Sequence, residues 1–145
     1  MTKKLLCLIL ILYPVSLYSL EKTKEEKVAK FVLENIQQDY TSCYSFYKIA
    51  GESFKKINAE NSIIEGLNKS ADLTLKFAHD LGEVLNYKPK IMTENNKKEI
   101  KKLSLLAKKD FNLLSKKYGA MCKKLVENQK QRIDYWENEG NKKIK

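Results

Sequence analysis

Two cysteines constrain the fold of this chain more than any other pair of residues. Cys43 and Cys122 are separated by 79 positions, and each lies in a series of apolar residues that recur at three- and four-residue steps. That spacing is typical of one face of an α-helix. A disulfide between them would need Cα atoms within about 7 Å, which excludes most arrangements of the helices that carry them.

The amino-terminal segment favours this pairing. Lys3 and Lys4 precede an apolar run over residues 5–17, and Ser19 offers a small residue for cleavage. This layout is typical of a secretory signal peptide. We therefore predict a signal peptide over 1–19 and a secreted or periplasmic protein, in which a Cys43–Cys122 disulfide can form. An uncleaved anchor is the alternative, although about thirteen apolar residues fall short of the roughly 20 needed to span a bilayer.

The rest of the chain is expected to form one domain. With two prolines and five glycines in the sequence, and no cluster of either, no internal linker is predicted. We predict a single helical domain over 20–140 and a polar tail over 141–145.

Intermolecular pairing of the cysteines is an open alternative to the internal disulfide. The lack of a Cys-x-x-Cys motif gives no support to a redox or zinc site.

Three helices are predicted from capping signals and apolar periodicity. Thr23 with Glu26 forms a capping box at the start of the first helix, and Ser62 with Glu65 repeats the pattern for the second. Pro89 favours a break before the third helix. The apolar stripe of the first helix consists of Val28, Val32, Ile36, Tyr40, Cys43, Tyr47, Ala50, Phe54 and Ile57.

The third helix is predicted to start at Thr93, to continue through Gly119 and to stop near Gly140. Its apolar stripe consists of Ile100, Leu103, Ala107, Phe111, Leu114, Tyr118, Met121, Cys122, Leu125, Ile133 and Trp136. If this helix began level with the end of the second, Cys122 would lie roughly 28 Å beyond the level of Cys43. An extended segment around Pro89, from Asn86 to Met92, would remove that mismatch.

The predicted fold is therefore all-α: a three-helix bundle whose long first and third helices are parallel and joined by the disulfide. A chain reversal near residues 110–115, which would give four helices, is the alternative. It has no glycine or proline signal and would interrupt a continuous apolar stripe.

Lysine is concentrated in the second half of the chain, where residues 88–145 carry sixteen lysines and one arginine against seven acids. Five of these lysines follow one another at seven-residue steps: Lys102, Lys109, Lys116, Lys123 and Lys130. A solvated surface explains them simply. The functional hypothesis is an anion-binding surface for lipid headgroups, envelope polysaccharide, nucleic acid or another protein. Sequence-specific nucleic-acid recognition is disfavoured because the chain has one arginine.

Aromatic residues form two groups. Tyr40 and Tyr47 lie beside Cys43 and are predicted to pack in the core, with a small ligand pocket as the alternative. Near the end of the chain, Arg132, Tyr135 and Trp136 are of the types that anchor protein contacts, so we predict a partner surface there. The alternative is that Trp136 packs within the bundle.

The sequence offers little for catalysis. His79 is the single histidine, which leaves at most one member for a histidine-based triad or a multi-histidine metal site. No phosphate-binding glycine loop or nucleophile turn is present. We therefore expect no catalytic activity, cofactor or metal. The predicted function is an exported binding or envelope-associated protein acting through its lysine-rich third helix, with at most peripheral membrane contact. The alternative is a structural or assembly subunit that packs through Tyr135 and Trp136.

Overall fold

The computed structural model describes residues 22–145, and every regular element in that range is an α-helix. The helices are α1 Lys24–Lys56, α2 Asn61–Val84, α3 Pro89–Lys109, α4 Phe111–Glu127 and α5 Gln129–Lys143. The all-α class is confirmed, but the prediction of three helices is wrong. The predicted signal peptide lies outside the described residues.

Helix α1 begins as its sequence predicts. The Thr23 hydroxyl accepts the Glu26 N–H, and the Glu26 carboxylate accepts the Thr23 N–H. This reciprocal pair satisfies two backbone donors that an uncapped helix start would leave free. The helix then continues for 33 residues, about 50 Å at 1.5 Å per residue.

The predicted start of the second helix is wrong by a short distance. Helix α2 begins at Asn61 with Glu60 in the capping position, and no side chain caps its backbone. The Ser62 hydroxyl instead donates to the Glu60 carboxylate at 3.4 Å. The capping-box pattern is therefore present here in sequence only, because the capping position falls on Glu60, two residues before Ser62.

The extended segment predicted around Pro89 is also wrong. Asn86 adopts a left-handed conformation with φ of 59°, which asparagine tolerates better than most residues. The Tyr87 N–H then donates to the Gly82 carbonyl and closes the end of α2. Helix α3 begins at Pro89 and not at Thr93, because proline fits the first helical position, where no intrahelical donor is needed.

The third predicted helix is divided at Asp110. This residue is extended, with φ of −160°, and its side chain accepts the Leu113 N–H at 3.0 Å to cap α4. The reversal that the sequence offered as its second solution therefore occurs, without glycine or proline. A second break at Asn128 separates α4 from α5, and its side chain makes no capping hydrogen bond.

The reversal sets the direction of α4 and α5 relative to α1. Ring contacts join Phe54 to Phe111 and Phe31 to Trp136, so the later residue contacts the earlier part of α1. Helices α4 and α5 are thus antiparallel to α1, and the predicted parallel arrangement is wrong for the helix that carries Cys122. Helix α3, in contrast, runs parallel to α1.

Helix α1 is the centre of the molecule. It packs against all four other helices, whereas α2 packs along α1 and makes little contact with the rest. The cluster of buried residues at the centre draws on all of the helices except α5, whose Ile133 and Trp136 pack against it. Its buried members are Ile36, Tyr40, Cys43, Phe46, Ala78, Leu103, Leu114, Tyr118, Cys122 and Leu125.

Gly140 does not stop the last helix, which was its predicted role. Helix α5 continues to Lys143, so residues 141–143 of the predicted tail are helical. A Cβ atom at Gly140 would lie 3.1 Å from carbon atoms of both Phe31 and Val28. Any larger residue would require these two side chains to shift by a few tenths of an ångström, because α5 approaches the start of α1 closely.

Candidate functional site

The predicted disulfide lies at the centre of the molecule. Cys43 of α1 and Cys122 of α4 are bonded, with Cα atoms 5.3 Å apart, and both residues are fully buried. Their match in height has a simple cause. Cys43 precedes Phe54 by eleven residues and Cys122 follows Phe111 by eleven, while the two phenylalanine rings contact each other. Equal lengths of two antiparallel helices therefore bring the sulfur atoms together.

A charged cluster joins α1 to α5 next to the disulfide. The Arg132 guanidinium donates to both carboxylate oxygens of Asp39, at 2.6 and 3.0 Å. The Trp136 indole N–H donates to the same carboxylate at 2.6 Å. The Asp39 side chain is only 10% exposed, so the two donors supply the hydrogen bonds that replace its hydration.

The predicted partner residues are therefore largely engaged within the chain. The Arg132 guanidinium also lies over the rings of Tyr135 and Trp136, 4.6 and 4.7 Å from their centres. Tyr135 is 47% exposed and is the member of the group that is open to solvent. The partner surface remains a prediction, and Tyr135 is the most exposed of its three predicted residues.

Asp39 is a residue that sequence reasoning missed. Its signal was present: Asp39 lies three residues after Ile36 and four before Cys43, so a carboxylate occupies the apolar stripe of α1. Glu99 is a second case, because it is 6% exposed and accepts the Ser42 hydroxyl at 2.9 Å. Lys102 neutralises it from one turn later, at 3.1 Å.

The five lysines at seven-residue steps do not form one line. Lys102 and Lys109 lie on α3, Lys116 and Lys123 on α4, and Lys130 on α5. The reversal at Asp110 folds the first four into two antiparallel rows. Lys130 bonds to Asp134 at 2.8 Å, and this hydrogen bond raises its pKa above the usual value.

The helices α3 and α4, here called the basic hairpin, carry the charge together. From Pro89 to Glu127 the sequence has eleven lysines and four acids. Of these lysines, only Lys102 and Lys123 lie within 4 Å of a carboxylate of residues 22–145. Lys123 is 72% exposed and 3.9 Å from Glu127, so this loose pair leaves it, like the other lysines of the basic hairpin, available to an external anion.

The acidic helix lies on the other side of the molecule. Helix α2 carries two lysines against four acids. It contacts α1 through Gln37 and Tyr40, whereas α3 contacts α1 through Ser42. At 100° per residue, Ser42 points about 140° to 160° away from those two residues. The fold thus separates positive from negative charge across α1.

The turn of the basic hairpin also exposes leucines. Leu105, one turn before the end of α3, is 60% exposed, and Leu113, in the first turn of α4, is 49% exposed. Lys108, Lys109 and Lys116 lie beside them in sequence, within one turn of either leucine. Mixed basic and apolar surface of this kind is typical of proteins that lie on a membrane.

An apolar groove runs between α1 and α3 towards the same end of the molecule. It has a volume of about 540 Å³. Its apolar residues are Ile49, Phe54, Ile57, Ile100, Ala107 and Phe111. Its charged residues are three lysines, Lys48, Lys56 and Lys108, and one acid, Glu52. We call this feature the α1–α3 groove.

A second groove of about 570 Å³ lies at the opposite end, between α1 and α5. It is also largely apolar, with Val28, Ala29 and Ile133 among its lining residues, but its charged residues are Glu25 and Glu137. We call it the α1–α5 groove. The two grooves are similar in size and opposite in charge.

The tyrosines near the disulfide do not open onto a described pocket. Tyr40 is buried against Phe77 of α2, with ring centres 5.2 Å apart, and Tyr47 packs on Phe46. Burial raises the pKa of both phenols, and for Tyr47 the charge of Glu127 adds to the effect. A raised pKa makes each phenol a weaker acid than a tyrosine in water.

Within residues 22–145, no group of three or more His, Cys, Asp or Glu side chains is placed to hold a metal ion. His79, the single histidine, lies half-buried on α2. In the same range, none of the helices has the length and apolar character of a candidate membrane span.

Comparisons with protein families, with curated proteins and with solved structures find no match for this chain.

Proposed function

We propose that this is an exported, non-enzymatic protein that binds the surface of an anionic membrane through the basic hairpin. The observation that carries the proposal is the separation of charge across α1. Eleven lysines lie on α3 and α4, whereas α2, on the other side, has an excess of acids. A molecule of this kind would approach a negative surface in one orientation.

The exposed leucines favour a membrane over a soluble polyanion. Leu105 and Leu113 lie at the turn of the basic hairpin among lysines. At a bilayer surface, lysine ammonium groups would pair with headgroups while the leucines entered the headgroup boundary. An acidic polysaccharide binds through charge, so exposed leucines would not stabilise its complex with the protein.

Vesicle sedimentation tests the proposal. The protein should bind vesicles of phosphatidylcholine that contain phosphatidylglycerol, and not vesicles of phosphatidylcholine alone. The triple substitution Lys109→Glu, Lys116→Glu and Lys123→Glu should weaken binding at least about tenfold, since each lysine near an anionic surface contributes about 1 kcal/mol. The helical circular dichroism should not change.

A matched variant removes the effect of net charge. Lys30→Glu, Lys69→Glu and Lys76→Glu change the total charge equally, but these lysines lie on α1 and α2. The affinity of this variant for anionic vesicles should remain within about threefold of that of the parent protein, because salt screens interactions between surface charges beyond about 10 Å. An equal loss in both triples would contradict the proposal.

Substitution of the two exposed leucines is a second test of the proposal. Leu105→Ser with Leu113→Ser should weaken vesicle binding but leave binding to the acidic polysaccharide heparin unchanged. If the wild-type protein binds heparin and ignores anionic vesicles, the membrane is the wrong partner and a polysaccharide takes its place.

A further inference from the structure

The α1–α3 groove combines apolar and basic residues, and among its charged residues only Lys108 belongs to the proposed membrane surface. Six apolar side chains line it, Phe54 and Phe111 among them, and three of its four charged residues are lysines. Ile57 on this groove is 71% exposed. An apolar depression of this size is in the range of pockets that hold small molecules.

The charge of the groove indicates the polarity of its ligand. Lys56 and Lys108 belong to the last turns of α1 and α3, so both lysines lie at the end of the groove where these two helices end. Lysines in a last helical turn also stabilise the partial negative charge of the helix end. That role explains a lysine at these positions, but it does not explain the apolar groove between two of them.

We propose that the α1–α3 groove binds one molecule of a medium-chain fatty carboxylate. The alkyl chain would lie against the apolar residues along α1 from Ile49 to Ile57, a length of about 12 Å. The carboxylate would lie between the ammonium groups of Lys56 and Lys108. Lys108 belongs to both the groove and the basic hairpin, but Lys56 and the apolar residues of α1 belong to the groove alone.

The α1–α5 groove is an internal comparison. It has nearly the same volume, but its charged residues are the acids Glu25 and Glu137. A fatty carboxylate would be repelled there, whereas a ligand that recognised apolar surface alone would enter either groove. Binding in the α1–α3 groove should therefore depend on the sign of the ligand's charge.

Isothermal titration calorimetry with dodecanoate tests the inference on the oxidised full chain, below the concentration at which the ligand forms micelles. Dodecanoate should bind with saturation at one molecule per chain, and dodecyltrimethylammonium at least about tenfold more weakly. Absence of saturable dodecanoate binding, or equal binding of the cationic amphiphile, would overturn the proposal.

Two lysine pairs locate the carboxylate. Lys56→Glu with Lys108→Glu should weaken dodecanoate binding about tenfold. Lys55→Glu with Lys109→Glu makes the same change in the same helical turns, on residues that do not line the groove, and should weaken dodecanoate binding by less than about threefold, because charges without a direct contact to the ligand are partly screened by salt. Equal losses in the two pairs would overturn the assignment to this groove.

Substitutions at two alanines test where the alkyl chain of dodecanoate lies. Ala107→Trp should fill the α1–α3 groove and abolish dodecanoate binding, whereas Ala29→Trp fills the α1–α5 groove and should have no effect. The reverse result would place the ligand in the wrong groove and overturn the inference. Since Ala107 also contacts the core, its variant is interpreted only if its circular dichroism is native; the lysine pairs decide the question otherwise.

The two proposals fail separately. Lys109→Glu should weaken vesicle binding and spare dodecanoate binding, because Lys109 belongs to the basic hairpin but not to the groove lining. If the parent protein binds vesicles but does not bind dodecanoate, the groove proposal is rejected and the membrane proposal stands.

Discussion

The two sides of α1 are held by different kinds of interaction. On the side of α2, small residues let the helices approach: Ala71, Thr74 and Ala78 are at most 1% exposed. The cross-helix polar contact there is weak, with the Gln37 amide donating to the Ala78 carbonyl at 3.3 Å.

On the side of α4 and α5, a few specific bonds connect the helices. The Cys43–Cys122 disulfide and the charged hydrogen bonds of Asp39 to Arg132 and Trp136 lie close together along α1. Apolar packing changes gradually with side-chain volume. A covalent bond or a buried ion pair, in contrast, is either present or lost. We therefore expect substitutions on the second side to be the more damaging.

The largest effect should come from the disulfide. The double variant Cys43→Ala with Cys122→Ala frees a loop of 79 residues, and its free energy of unfolding should fall by about 4 to 5 kcal/mol. Urea denaturation of the two proteins measures this difference. A fall below about 1 kcal/mol would mean that packing alone holds α4 against α1.

The second largest effect should come from the charged cluster. Asp39→Asn removes the negative charge beside a guanidinium whose side chain is only 26% exposed. The free energy of unfolding should fall by about 3 kcal/mol, because a buried charge is left without its partner.

Asp80→Asn is the matched control for Asp39. Asp80 pairs with Lys76 on the surface of α2, where its side chain is 52% exposed. Its loss should cost less than about 0.5 kcal/mol. Similar costs at positions 39 and 80, measured by urea denaturation, would contradict the contrast between the two sides of α1.

A smaller effect is expected on the side of α2. Ala71→Leu places a larger side chain at a fully buried position between α1 and α2, and overpacking should cost about 1 to 3 kcal/mol. Hydrogen exchange should become faster in α2 and remain slow around Cys122. The exposed change Lys69→Leu serves as the control and should leave the exchange of α2 as it was.

The smallest effect is expected at alkaline pH. Burial raises the pKa of Tyr40, which faces α2, and of Tyr47, and both phenols are therefore protonated more readily in the folded protein. Their contribution to stability is complete below the unfolded value of about 10 and is lost as pH rises through the folded values. Denaturation midpoints between pH 8 and 11 should fall less steeply in Tyr40→Phe and in Tyr47→Phe. An identical pH profile in both variants and the parent would show that neither phenol titrates with folding.

The chain reversals before and after α3 show where sequence reasoning succeeded and failed. The break between α2 and α3 was predicted because Pro89 marks it, although its short turn at Asn86 was not. The break at Asp110 was placed second, since Ala107, Phe111 and Leu114 keep the same apolar spacing across it. That spacing continues because α3 and α4 both bury their stripes near α1. Asp110 as a helix cap was the signal in the sequence.

The candidate sites divide in the same way. The disulfide was predictable, because both cysteines lie on apolar stripes. The positive charge of the basic hairpin was predictable from its lysines. Its folded-back shape was not, because the interpretation of the seven-residue lysine spacing assumed one straight helix. Neither groove could be predicted, because each is a space between helices that are distant in sequence.

The sequence by itself determined the helical class, the start of α1 at Thr23, the face that each long helix buries, and the pairing of Cys43 with Cys122. These properties follow from local spacing of about 100° per residue and from capping chemistry within one turn. Only the tertiary structure decided the number of helices, the direction of α4, and the role of Asp39 as the partner of Arg132. A short break costs little in local terms, and it is the packing of distant segments onto α1 that decides whether the chain continues or turns back.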